Sequence, residues 1–449
     1  MSIQTDKDLP VLNEQGNDKE MLDNLQRESF RYFLAEVDPV TGLVADKTCP
    51  GSPSSIAVVG MSLSVYIIGI KKGYLSYTGA IAGTLKILRF FYNSRQGTEP
   101  DATGYKGFYY HFLDMKTGQR AGHCELSTID TAIFMAGVLS VATFFSGNDK
   151  MEAEVRQLAD ALYRRVNWRW ALNGGITITH GWNPESGFLP YRWDDNYSEA
   201  HILYTLALGS PTYPISPDGY KKWTATFDLK TVYETEYLYA GPLFIHQFSH
   251  MWIDFRNILD DFNREAGFDY FENSKRATYV HRKYAIENPH GFKRYGPYCW
   301  GLTASFGPGN EVIEIDGRPT RFYGYIARGA PFGPDDGTIA PWAVVASLPF
   351  APEIVLITIR HAIEKLDLKP RNLYGFDASF NATYPETTAN PNGWISPWRF
   401  GLNQAPVIIM IENYQSGLLW NIMRQCGYFV SGLQKAGFSG GWLTTTGKP

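Results

Sequence analysis

Four cysteines in 449 residues, at positions 49, 124, 299 and 426, stand far apart with no Cys-x-x-Cys among them. That spacing argues against a structural zinc site and against a dense disulfide framework. A strong charge of one sign is also missing. The net charge is −4, and no lysine/arginine run interleaves with the aromatics, so no nucleic-acid partner is expected. No Gly-x-x-x-x-Gly-Lys-Ser/Thr occurs, which removes the usual nucleotide phosphate loop. The most apolar run, Ser54 to Ile70, is near the short limit for a membrane span and carries four serines. It reads as a buried helix, and no membrane insertion is expected. Residues 1–20 are polar, with no apolar signal-peptide core, and read as a disordered lead to one domain spanning 21–449.

Aromatics are abundant instead: 28 Tyr, 27 Phe and 12 Trp make up 15% of the chain. Aromatic faces hold sugar rings, so the excess suits a neutral carbohydrate ligand. Apolar residues at three- and four-residue spacings predict about a dozen helices, among them 21–36, 54–71, 127–146, 198–207 and 242–263. Little looks like strand. Consecutive helical pairs at a spacing of about 40 residues predict an all-α fold, an (α/α)6 barrel or toroid. Long aromatic-rich loops at 101–125, 174–196, 295–336 and 376–402 would form its cleft.

The stretch Gly187 to Glu199 holds aromatics, an arginine and three carboxylates in thirteen residues. Carboxylates and arginine read hydroxyls and move protons, and Tyr191, Arg192 and Trp193 here, with Trp182, Trp394 and Trp398 in neighbouring loops, are candidate sugar contacts. Glu199, Glu125 and Asp130 all fall near predicted helix starts. A helix N-terminus favours the ionised form, which suits a base, whereas an acid needs burial or a neighbouring carboxylate; Asp194 and Asp195 are candidates for that repulsion on Glu199. Arg328 stands in another polar, glycine-rich loop that turn chemistry also accounts for. His246, His250 and Asp254 would share one face of a 242–263 helix as a metal set, but without an obvious further ligand no metal is expected.

Several runs together resemble the bacterial glucoamylase-like family: Gly107-Phe-Tyr-Tyr-His-Phe112, Glu125-Leu-Ser-Thr-Ile-Asp-Thr131, Gly187 to Trp193 with Tyr197-Ser-Glu199, and Phe244 to His250. Trp300 to Ser305, Gly337 to Pro341 and Ile411 to Tyr414 extend the likeness in collinear order over about residues 22 to 443. The resemblance is closest to the endo-β-1,2-glucanases. It implies an inverting glycoside hydrolase acting on linear β-1,2-glucan or sophorooligosaccharides without cofactor or metal, with Glu199 as acid, Asp130 and Glu125 as acidic residues beside the cleft, and His111 among the substrate contacts. Relatives that release sophorose from a chain end make exo action the alternative, and a non-catalytic glucan-binding protein is the reading from another class. One departure is visible: Leu402-Asn-Gln-Ala405 stands where the family carries an Asp-Gln-Gly pattern. Family members are often exported, so a periplasmic or secreted location is expected, with no protein partner evident and the cytoplasm kept as an alternative.

Overall fold

Two kinds of helix alternate along the chain, and their composition accounts for the difference. In the computed structural model, which describes residues 15–369, 374–385 and 391–444, the helix Ile56–Lys72 is buried at every position from Ile56 to Gly69. It contains mostly small and aliphatic side chains, so no face of it favours water. The helices Thr128–Phe144, His201–Gly209, Pro341–Ala346 and Gly401–Gln415 are likewise buried nearly all round. Between them run Tyr77–Asn93, Lys150–Arg165, Pro217–Thr224, Tyr270–Glu287 and Pro352–Glu364, each burying one face. Lys150–Arg165 buries Val155, Ala159, Leu162 and Tyr163 and turns its charges outward. Helices recur along the chain as expected, and helices buried all round alternate with helices that bury one face.

The buried helices pack on one another, Ile56–Lys72 against both Thr128–Phe144 and Gly401–Gln415. Glycine makes the first of these contacts possible. A Cβ on Gly137 would lie 1.9 Å from the Gly60 carbonyl oxygen, and one on Gly60 would lie 2.3 Å from the Phe134 Cα. Backbone-to-backbone approach of this kind leaves no room for any side chain.

Three expectations need correction. First, residues 15–20 are not a disordered lead, because the first helix is Gln15–Phe30; residues 1–14 lie outside the described residues. Second, the fold is not purely helical. Short strands join the helices, including a five-stranded antiparallel sheet ordered Gly104–Tyr105, Phe108–Tyr110, Leu126–Ser127, Gly181–Asn183 and Gly187–Phe188. Strands of two or three residues are too short to show a period of two.

Third, residues 242–263 do not form one helix. Two short 3-10 turns, Leu243–His246 and Ser249–Met251, lead into an irregular segment. The polar side chains here serve other elements: Gln247 donates to the Ala343 carbonyl at 2.6 Å, and His246 contacts the Ala240 carbonyl at 3.1 Å. The proposed metal face therefore never forms. His250 bonds Ser274 at 2.9 Å, Asp254 is paired with Arg256 and Arg424, and burial pushes both imidazoles down, His246 to about 4 and His250 to about 3. Among the described residues, no helix is long and apolar enough to cross a membrane.

Candidate active site

A cavity of about 470 Å³ opens where the starts of several buried helices meet, and Glu199, Asp130, His111 and Asp46 all line it. Ser127 sets the position of Asp130. It is the N-cap of Thr128–Phe144, accepting from the Asp130 amide at 3.2 Å while its hydroxyl donates to the Asp130 carboxylate at 2.5 Å. The five-stranded sheet fixes the same region, because Leu126 and Ser127 pair with Tyr110 and Tyr109 on one side and with Trp182 and Gly181 on the other. His111 follows the Phe108–Tyr110 strand, its amide donating to the Glu125 carbonyl at 2.9 Å.

His111 bridges the acids. Its Nδ1 lies 2.9 Å from Glu125 Oε1 and its Nε2 lies 3.8 Å from Asp130 Oδ2, with the ring stacked on Phe112 at 4.0 Å. Burial by itself would lower the imidazole, but the charges of Asp130, Glu125 and Asp46 outweigh it and push it up to about 9. Glu125 moves the other way: burial would raise it, and the hydrogen bond and charge of His111 hold it below the usual carboxylate range. His111, Glu125 and Asp130 are the set among the described residues whose ligand atoms lie within 4.8 Å of one another. The acids favour the protonated imidazole, whose ring nitrogens then serve as donors toward Glu125 and Asp130.

This array carries a stability signature. A group whose folded pKa is raised contributes stability that is fully present below its unfolded value and fades as pH rises through the folded value. For His111 the window runs from 6.5 to about 9. The difference in melting temperature between the protein and His111→Gln is therefore expected to be largest below pH 6.5 and to shrink above 9. Melts across that range check it, and a constant difference would remove the charge from the account.

Glu199 sits before the helix His201–Gly209 rather than inside its first turn. Ser249 anchors it, donating to the Glu199 carbonyl at 2.7 Å and accepting from the Ile202 amide at 3.1 Å. Phe244, Phe248 and Trp342 line the same cavity. Burial pushes the carboxyl up to about 7, its own backbone amide opposes this, and the Asp130 charge adds to it. The expected repulsion from Asp194 and Asp195 is corrected: Asp194 accepts from Thr177 at 2.8 Å and pairs with Lys222 at 3.3 Å, and Asp195 accepts from Asn196.

Other sequence candidates lie elsewhere. Arg328 is fully buried, both its Nε and Nη2 donating to Asp336 at 2.7 Å and its Nη1 to the Ser305 carbonyl at 2.7 Å, so its role as a sugar contact is corrected. Arg192 is likewise spent, donating to the Thr177 carbonyl at 2.6 Å and the Leu172 carbonyl at 3.0 Å. Trp193 stacks on His180 at 4.0 Å and donates to Thr128, and Trp182 packs on Tyr105 and Trp170. Tyr191 is 67% exposed, Trp394 pairs in a strand with Asn381, and the Trp398 carbonyl accepts from Ser396. None of these seven side chains lines the cavity.

Sequence reading passed over Asp46, Lys47, Phe306, Tyr325 and Phe400, which do line it, because each stands in a segment with no periodicity or acid pairing to mark it. Asn403 lines it too, so the departure at Leu402 to Ala405 falls on the cavity wall.

Comparison with known proteins bears on this geometry. The family model described as "Putative glucoamylase" matches residues 190–427. A crystal structure of the same description, from Bacteroides uniformis, is 30% identical with a TM-score of 0.83, covering 95% of this chain and 99% of that one. A relative from Parabacteroides distasonis named exo β-1,2-glucooligosaccharide sophorohydrolase (non-reducing end) is 27% identical over 93% of this chain, which spans 58% of that relative's length. An endo-β-1,2-glucanase from Chitinophaga pinensis, solved with sophorotriose and glucose, shares the fold with a TM-score of 0.82 at 24% identity, covering 95% of this chain and 99% of that one.

Proposed function

The chain belongs to the glucoamylase-like family, and on that premise we propose that it is a glycoside hydrolase cleaving β-1,2-glucosidic bonds with inversion, on an (α/α)6 toroid. The observation that carries this reading is the meeting of Glu199 and Asp130 in one cavity, with Glu199 held at about 7 by burial and by the Asp130 charge. A carboxyl poised near neutrality is half protonated at working pH and so able to give up a proton there.

In this mechanism Glu199 donates its proton to the glycosidic oxygen as the bond from the anomeric carbon to that oxygen breaks. Water attacks the anomeric carbon from the opposite face, and its proton passes to Asp130. The Glu125–His111 pair holds Asp130 in place and balances its charge. Both carboxyls then return to their starting states by exchange with solvent. Inversion requires the two carboxyls to stand roughly 6.5–9.5 Å apart, leaving room for the water.

The test is to incubate the protein with β-1,2-, β-1,3-, β-1,4- and α-1,4-glucans and follow the products by proton NMR. Expected is hydrolysis of the β-1,2-glucan alone, with the α-anomer appearing first. Hydrolysis of the α-1,4-glucan with none of the β-1,2-glucan would sink the reading, and β-anomer appearing first would refute inversion. Endo action, with mixed lengths early, is the first expectation. The sophorohydrolase relative favours a second mode, release of disaccharide from a chain end, which an early time course separates. We place its action outside the cytoplasm, where such glucans occur; cell fractionation checks this.

A further inference from the structure

Asp46 and Lys47 line the same cavity as Glu199, and among the described residues neither charged head makes a hydrogen bond or ion pair. Acids buried away from this cavity are engaged: Asp254 by Arg256 and Arg424, Asp260 by Tyr220 and Tyr270, Asp336 by Arg328, and Asp38 by Lys116. A half-buried charge whose hydrogen-bonding capacity is unmet is costly, and folds seldom retain one without a use for it.

The backbone beneath these two residues is held firmly. Asp46 donates its amide to Pro53 at 2.8 Å and accepts from Gly401 at 2.9 Å, and the Lys47 amide donates to Ser52 at 3.1 Å. Fixed backbone with unspent heads is the arrangement of a preorganised binding site.

Apolar faces complete it. The Lys47 ammonium stands 5.3 Å from the Phe306 ring centre and 5.7 Å from that of Phe400, and those rings lie 5.7 Å apart. Tyr325, on the same cavity, is 64% exposed. The carboxylate of Asp46 lies within the field of Lys47, His111 and Asp130, which places this corner beside the candidate catalytic acids.

We propose that Asp46 and Lys47, with Phe306, Tyr325 and Phe400, form a glucosyl-binding subsite of the cleft. Sugar hydroxyls donate to the Asp46 carboxylate and accept from the Lys47 ammonium, and the C–H faces of the ring lie on the aromatics. The ligand class is a neutral polyol: the carboxylate repels a phosphate, and the two charged heads exclude a lipid chain. The inference rests on the proposed glucanase activity and names who holds the sugar there.

The test is calorimetric binding of a linear β-1,2-linked glucose tetramer to Glu199→Gln, which binds without turnover, and to the same protein carrying Asp46→Asn or Lys47→Met. Expected is binding weaker by about 10- to 100-fold for Asp46→Asn, as for loss of a charged hydrogen bond, and a smaller loss for Lys47→Met. The melting temperature should hold near that of the parent, since no hydrogen bond or ion pair is lost. Equal affinity in all three proteins overturns the subsite while leaving the glucanase reading intact. Weaker binding together with a fall in melting temperature assigns Asp46 to structure and overturns it as well. Failure of Glu199→Gln itself to bind the tetramer overturns the glucanase reading, and the ligand class with it.

Discussion

Glu199→Gln is expected to lower hydrolysis of β-1,2-glucan by at least about 10²- to 10⁴-fold, the usual share of a positioned proton donor. The fold should survive, because the Glu199 anchor is its backbone carbonyl on Ser249 and no side-chain partner is lost. Stability should in fact improve at alkaline pH. A carboxyl raised from 4.5 to about 7 favours the folded state only while protonated. Its contribution is complete below pH 4.5 and disappears as pH climbs through about 7, leaving a buried charge worth at most about 3 kcal/mol of destabilisation. The amide carries no such charge, so the variant should melt higher than the parent above neutrality and no higher in acid. The same protonation governs rate, and the parent's activity should fall as pH rises through about 7. Near-normal turnover in the variant, or a rate that keeps rising past that pH, would refute Glu199 as the acid.

The second large effect is structural. Arg328→Ala is expected to cost about 3–5 kcal/mol, because it strands Asp336 as a buried, uncompensated charge. Arg328 also ties the loop together, its Nη2 donating to the Tyr323 carbonyl at 3.0 Å and the Gly324 carbonyl at 3.2 Å. Those bonds hold the segment that carries Phe306 and Tyr325 to the cavity, so activity should drop with stability. Lysine should rescue little, as a point charge cannot replace a planar fork with several simultaneous acceptors. Chemical denaturation measures the loss, and steady-state kinetics below the unfolding midpoint separates the two roles. An unchanged midpoint with a raised KM would mean that Arg328 touches sugar after all.

Much of this was legible in the chain itself. The all-round apolar run from Ile56 to Gly69 specifies a helix with no face for water, whatever surrounds it. The cap at Ser127 follows from local chemistry, since a hydroxyl three residues before Asp130 is within reach of its amide. Glu199, Asp130 and Glu125 stood out because three acids near helix starts in aromatic loops are an uncommon pattern, whereas His111 entered through the family resemblance. Local pattern failed where distant segments compete for the same groups. The 242–263 stretch has helical spacing, yet Gln247 and Ser249 spend their side chains on the Ala343 and Glu199 carbonyls, and helical continuity is lost.

Arginines show the same limit from the other side. Arg328 and Arg192 look alike in sequence as polar loop residues, and only the approach of Asp336 to one, and of two carbonyls to the other, turns both into internal ties. Asp46 and Lys47 carried no signal, because their meaning lies in the cavity they share and the ion pairs they do not make, and both are properties of three-dimensional neighbourhood. Composition and short-range spacing therefore determined the helices, their caps and the acids available for chemistry. Tertiary structure decided which charges are neutralised and which stay free, since a Coulomb interaction depends on distance through space and local spacing along the chain does not report it.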